Sequence, residues 1–580
     1  MSVFDQLGAS STPPTGLQYN TVERDTSVTG RITQKWQPTS GSVYSGLNSR
    51  VVTFRISSSM LADMQSFYLN FNCKTAKSWV QMEDLFPLQM IESCRLNIGG
   101  CSIESISNFA ESVKPQVYHA ASADWLAGPA SITMGSWLYR PTTGIGLNVT
   151  GSNGVGIQVD SALQQIGLAG TVVDPTTNLG WHPVTPDSYA GSCYRANSFP
   201  SGLEYTTLNR DAGVSKFSGR TNAGVRCDGK SFSVPLGLIF GSFRLESYMP
   251  LFSCGSIDLS ITLAAPNRCL IVTKPLLYGA AGNTIVGETV VSPADDYVLD
   301  YTISNISVTG DLLQVSPSTA QQIMASTSGE TGISFCVDTV ISQLFPTQPG
   351  GAGSHSFTVT RPFSNLTSQT IVARSSLIAS SEFALKSSYV GGSRFLSATS
   401  QIGGLSFPSQ TIDSTSQAYL ELRKALTRTG ANIQAGSAIS WSNYNSQYGS
   451  AYGAYSAATR GSACDITLLT DPARAAEKYR LANGISNQTP SCFVIGQSYS
   501  RVLQGNAISV SGINSRLSGY ACQTNLTYTP FSAGPNNSDG NANSASSTDS
   551  ALLDTPLDFV IAQTATVLVK LAGDSVSVSD

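Results

Sequence analysis

One stretch of the chain spells a motif with known chemistry: Gly224-Val225-Arg226-Cys227-Asp228-Gly229-Lys230-Ser231 fits G-x-x-x-x-G-K-[ST], the pattern of a phosphate-cradling loop. Such a loop needs a buried strand before it and a helix directly after it, because the helix N-terminus supplies the amides that hold the anion. Here Ser218 to Ala223 is polar, and Phe232-Ser233-Val234-Pro235 reads as strand. The segment is therefore expected to be a turn entering a strand. The three histidines, His119, His182 and His355, lie far apart, outside any H-E-x-x-H pattern and without Cys or carboxylate at metal-ligand spacing. They are expected at the surface or at an interface. Glu104 and Glu246 are carboxylates of the kind that pair as acid and base in glycosidases, but nothing in the sequence sets their separation, so solvated or cross-strand roles are expected. Tyr444, Tyr448, Tyr452 and Tyr455 offer faces for stacking on bases or sugars. A single-strand groove also needs positive charge, and Arg460 is the only base nearby, which leaves loop packing or a subunit contact. No catalytic, cofactor-binding or metal-binding residue is predicted, and the chain is not expected to be an enzyme.

The elements that would position any site are strands. In Ser231 to Leu263, Ile257, Leu259, Ile261 and Leu263 alternate with polar Asp258, Ser260 and Thr262, which predicts a half-buried strand. An apolar run ending near Phe240, a strand from Phe243 to Tyr248, and a corner at Pro250-Leu251-Phe252 with a turn at Cys254-Gly255 are expected to lead into it. Val52, Phe54 and Ile56 alternate in the same way, as do Phe67, Leu69 and Phe71. Gly99-Gly100 marks a hairpin within Ile91 to Ile106. From Tyr297 through Ile303 the alternation holds, then slips at Asn305 so that Ile306 and Val308 follow, which predicts a bulge. Further strands are expected at Ile333 to Val337, Phe357 to Val359, Thr370 to Val372, Phe493 to Tyr499, Leu517 to Tyr528 and Phe559 to Leu571. Two helices interrupt them. Ala418, Leu422 and Ala425 form a stripe behind a capping pair of Ser414 and Gln417, and Asp471-Pro472 opens a second helix that Asn483-Gly484 ends. The stretch from Trp137 to Gly229 is expected to hold short hairpins projecting outward.

Composition narrows the function. A chain of 580 residues exceeds one ordinary core and predicts two or three domains. Charged residues are 12%, against roughly 25% in ordinary soluble domains, so the surface is polar but weakly charged, and many copies can pack side by side. A net charge of -4, with Arg24, Arg31 and Lys35 interleaved with Asp5, Glu23 and Asp25, argues against extensive direct contact with nucleic acid. The opening MSVFDQLGAS lacks the features of a secretory signal, which predicts synthesis and folding in a reducing compartment. The 11 cysteines, scattered singly, are then expected to be buried thiols; Cys94 and Cys101 are the one pair near enough in sequence to suggest a bridge.

In the order of its parts, Ser231 to Leu263 resembles the corner that closes the first barrel of viral major capsid proteins with two consecutive jelly rolls, especially those of polinton-like viruses and virophages. FPSQTIDSTSQAYLELRKAL at Phe407 to Leu426, and FVIGQSYSRVLQGNAISVSGIN from Phe493, are similar to segments of the second half of that family. The resemblance implies an all-β fold of two tandem jelly-roll barrels with short helices and long loop insertions. The expected division is an N-terminal arm at 1–45, a first jelly roll at 46–275 with a long insertion, a linker at 276–295 and a second jelly roll at 296–580. It further implies a homotrimeric, pseudo-hexameric capsomer tiling an icosahedral virion of a DNA virus. Its partners would be neighbouring capsomers, penton and minor or cement proteins, and an internal membrane reached through minor proteins. No cofactor is expected. The competing reading is a β-rich surface adhesin or carbohydrate-binding protein, for which no secretory signal, disulfide pattern or acidic calcium-type loop is visible.

Overall fold

The computed structural model describes residues 28–75, 80–136, 147–150, 156–159, 230–272, 300–328, 332–348, 353–375, 395–426, 492–500, 512–516, 521–528, 557–572 and 575–579, with positions 389, 392, 436–439 and 444. Eight strands build the first unit: β1 (Val28–Trp36), β2 (Val51–Ile56), β3 (Leu61–Thr75), β4 (Ile91–Ile98), β5 (Cys101–Ile106), β6 (Lys230–Pro235), β7 (Ile257–Leu263) and β8 (Tyr301–Val315). Eight more build the second: β9 (Ile333–Gln348), β10 (Gly353–Val359), β11 (Leu366–Ser375), β12 (Phe395–Ile402), β13 (Leu405–Ile412), β14 (Ile495–Ser498), β15 (Cys522–Tyr528) and β16 (Leu557–Ala572). The first unit pairs them as β1-β8-β3-β6 and β2-β7-β4-β5; the second as β9-β16-β11-β14 and β10-β15-β12-β13. Adding eight to each number converts one pair of sheets into the other. Each unit is a two-sheet, eight-stranded jelly roll, and the chain is a double jelly roll.

The strands form where side chains alternate. In β7, Ile257, Leu259, Ile261 and Leu263 are buried while the residues between them are half-exposed, and Leu259 sits between Phe54 of β2 and Leu96 of β4. Facing this sheet, Phe67 stacks on Trp36 at 5.5 Å and Phe71 on Phe232 at 5.2 Å, joining β1, β3 and β6 in one apolar core. The second core mixes Phe357, Leu526 and Phe559 with a buried polar chain. Gln369 Nε2 donates to Thr524 Oγ1 at 2.8 Å, Gln563 Nε2 donates to Gln369 Oε1 at 3.1 Å, and the Ser400 hydroxyl lies 2.9 Å from that of Thr524.

Several sequence expectations meet their elements. Gly99 and Gly100 adopt φ of 56° and 82°, conformations that suit glycine, and link β4 to β5. Asn305 takes φ 52° where the β8–β3 register skips from Ser304 to Ser307, which is the expected bulge. The helix Thr415–Ala425 is capped by Ser414, whose hydroxyl accepts the Gln417 amide at 3.2 Å, and it buries Ala418, Leu422 and Ala425. Leu147–Thr150 and Gly156–Val159 pair as one hairpin within the long insertion. The helix expected at Asp471 to Gly484 lies outside the described residues.

Other expectations are corrected. The domain boundaries move, because β1 pairs with β8 over Val28 to Trp36 and β8 pairs with β3. Residues 28–36 and 43–45, expected in the arm, and 301–315, expected in the second barrel, therefore belong to the first sheet. The helix Pro317–Ser328 then leads to β9. Phe243 to Tyr248 is not a strand: Gly241–Arg244 is a 3-10 turn whose amides are claimed by a distant carboxylate. The short helices α1 (Phe109–Ser112), α2 (Lys114–Ala120) and α3 (Ala123–Ala127) follow β5 and carry no strong periodicity in the sequence. Among the described residues, no helix is long and apolar enough to cross a membrane.

Candidate functional site: the junction between the barrels

The end of β5 and helices α1 and α2 lie against the second barrel, and most of the buried ionic chemistry gathers there. Glu111 of α1 is paired by Arg374 of β11, on the second barrel, and by Arg268 of the first at 2.9 Å. Burial alone would raise the Glu111 pKa, but the two guanidiniums outweigh it and hold the carboxyl at about 2. Arg268 continues to Glu92 at 3.4 Å, and Glu92 pairs with Arg50, so the network runs from the core of the junction to the surface. One turn further along, Gln116 Nε2 donates to Thr370 Oγ1 of β11 at 3.1 Å.

His119 closes α2. Its Nε2 lies 2.8 Å from the Cys492 carbonyl, which makes that nitrogen the protonated one of the neutral ring. Arg423 of the helix α4 (Thr415–Ala425) donates to the His119 carbonyl at 2.5 Å. Burial pushes the imidazole pKa down to about 4, against the pull of the Cys492 carbonyl, and Arg423 adds to the depression.

On β5, Glu104 is buried and accepts the Gly241 and Ser242 amides at 2.7 and 2.8 Å and the Ser242 hydroxyl at 2.5 Å. Burial raises its pKa, opposed by those hydrogen bonds and by Arg244. The turn it fixes presses on β9: a Cβ built on Gly241 would stand 1.9 Å from the Asp338 carbonyl oxygen, so only glycine fits. Ser107 and Ser342 meet at 3.2 Å alongside. The last strand, β17 (Ser575–Ser579), pairs with β16 and reaches back, its Val576 carbonyl 2.7 Å from Cys101 Sγ.

The residues singled out in the sequence do not converge. Lys230 and Ser231 open β6, a strand and not a helix, so the context of a phosphate loop is missing; positions 224–229 lie outside the described residues. His119 and His355 are both buried, not at the surface, the former at the junction and the latter against Phe559 at 4.9 Å. His182, Tyr448, Tyr452 and Tyr455 lie outside the described residues. Tyr444 is buried and donates to the Val494 carbonyl at 2.9 Å, which is loop packing. Glu246 is exposed, while Glu104 holds its turn instead of facing solvent. All eight described cysteines, Cys94 and Cys101 among them, are free thiols, six of those eight plainly buried. Among the described residues, no group of His, Cys, Asp and Glu could hold a metal ion. The junction residues Glu111 and Arg374 carried no local motif.

The junction covers one edge from each barrel, β5 and β9, and leaves the equivalents β13 and β1. Among the described residues, β13 pairs only with β12, and β1 only with β8. Both are exposed along most of their length, and Leu405 and Leu396 lie at or beside the first while Val28 and Ile32 lie on the second and Val43 on the short strand Val43–Ser45 that pairs further along β8.

No protein-family model and no curated protein matches the sequence. Among solved structures the chain is similar to the Faustovirus major capsid protein, at 9% identity and a TM-score of 0.47, over 96% of this chain and 93% of that one. It is similar to the mavirus major capsid protein at 11% identity and 0.43, over 98% and 95%, and to a chain of the Sputnik virophage at 10% and 0.46, over 95% and 89%. At these identities the fold assignment stands on the strand pairings above.

Proposed function

We propose that this chain is the major capsid protein of an icosahedral virus, working as a capsomer of three copies. The observation that carries the reading is the pair of leftover edges. Within the chain, the β5 edge of one barrel receives the β9 edge of the next; β13 and β1 hold the same two places in the repeat and have no such neighbour among the described residues. A second copy supplies the missing neighbour. The contact is head to tail, and head-to-tail contacts close into rings when the rotation permits. Three chains then place six similar barrels around one axis, and such blocks tile a facet with neighbouring capsomers. The low charge, 12% of residues, suits that density. The family resemblance of Phe407 to Leu426 and of the segment from Phe493 points the same way and adds pentameric vertex and minor proteins as further partners. A virion shell is the corresponding location.

Light scattering on the purified chain tests the oligomer: three times 61.0 kDa supports the capsomer, and a monomer supports an adhesin-like protein instead. Electron microscopy tests the shell, through hexagonal arrays of that trimer. Because β1 starts at Val28, the informative truncation removes residues 1–27 and spares both sheets. It should leave trimers and impair shells.

A further inference from the structure

Beside the ionic network, a half-open cavity of about 490 Å³ lies between the barrels. Its volume is within the roughly 300–1,000 Å³ of small-molecule sites. Val113, between α1 and α2, and Val117 and Ala120 of α2 wall it on one side, with Ile239 from the segment before the Gly241 turn, Val340 from β9 and Leu426 from the end of α4. Several of the polar groups on its lining are already engaged. Glu104 is taken by Gly241 and Ser242, Gln116 by Ser112 and Thr370, Asp338 by Thr566 at 2.6 Å, and Arg244 by the Gly237 carbonyl at 2.6 Å.

We propose that this cavity binds an uncharged, predominantly apolar small molecule, of the class of a medium-chain alcohol, and that the bound molecule fastens one barrel to the other. A charged ligand would give up its hydration to walls that are mainly apolar, whereas an apolar one only gains by leaving water. Since both barrels supply wall residues, occupancy adds to the contact between them and raises the unfolding temperature through mass action. The site concerns the contact inside one chain, so it stands whether or not copies associate.

The test uses the full chain with neutral Nile red as reporter and decanol as competitor. The expected result is saturable dye binding at one site per chain, displacement by decanol but at least tenfold more weakly by decanoate, and an unfolding midpoint that rises with decanol concentration. Val340→Trp, which fills the cavity from the second barrel, should abolish displaceable binding; Ala120→Leu, a milder filling from the first, should weaken it at least tenfold if the larger change disturbs folding. Equal competition by decanoate, or displaceable binding unchanged in a folded filling variant, would overturn the proposal.

Discussion

Strands β5 and β13 occupy the same place in their barrels, each the outer strand of its sheet and each followed by helix, yet one is buried against a neighbouring barrel and the other is exposed, with no such neighbour among the described residues. The sequences differ accordingly. In CSIESI, Ile103, Glu104 and Ile106 are buried and the carboxylate is met by three donors. In LSFPSQTI only the last residue is buried, and Pro408 lacks the amide that sheet extension would use. The covered edge is held by side chains and not by a continuous sheet, since β5 and β9 each end their own sheet. A copy docking on β13 can use the same kind of contact without strand addition. Position in the fold thus decides that an edge exists; the neighbour decides whether it is wet.

The sharpest break in that comparison is Glu111→Ala, which leaves Arg374 buried and short of its partner. It should destabilise the chain by about 3–5 kcal/mol in urea unfolding, whereas Glu421→Ala, which removes a local pair with Lys424 on α4, should cost under about 1 kcal/mol. Similar losses for both would mean that the junction is not the special region. Acid sharpens the comparison next. The folded pKa of His119, about 4, lies below its ordinary 6.5, so its contribution is complete above pH 6.5 and is lost as pH falls towards 4. That contribution is on the order of 3 kcal/mol. Glu111 follows by the same sign, its contribution falling away from pH 4.5 down to about 2. Stability measured against pH in His119→Gln should lack the first of these two losses.

A smaller effect separates the two cores. Gln369→Leu breaks the buried chain through Thr524 and Gln563 and should cost about 1–3 kcal/mol, through polar partners left behind in the second barrel. A neutral result would show that this polar core tolerates an apolar filling as readily as the first barrel's would. Smallest for stability is Leu405→Asp on the bare edge. It should change unfolding by no more than about 0.5 kcal/mol while weakening association in sedimentation.

Much of the fold was legible where information is local. Alternation placed β7, the glycine pair placed the β4–β5 turn, the phase slip placed the bulge at Asn305, and the Ser414 cap placed α4. Gly403-Gly404, at φ 58° and 83°, joins β12 to β13 by the same device and was open to the same reading. What was illegible depends on distant partners. Alternation in β8 says that one face is buried but not that the strand returns to the first barrel. The Gly241 turn is fixed by a carboxylate 137 positions away, and the Glu111–Arg374 pair spans 263. A charged residue in α1 or β11 reads as surface until the fold brings the two together.

The central claim is that β13 of one copy docks on β1 of the next. Replacing Leu405 by the photoreactive benzoylphenylalanine and mapping its crosslinks by mass spectrometry tests this directly. The account predicts crosslinks between chains that land within residues 28–45, at or beside β1 and the short strand Val43–Ser45. Crosslinks joining position 405 to 405, or confined within single chains, would contradict it.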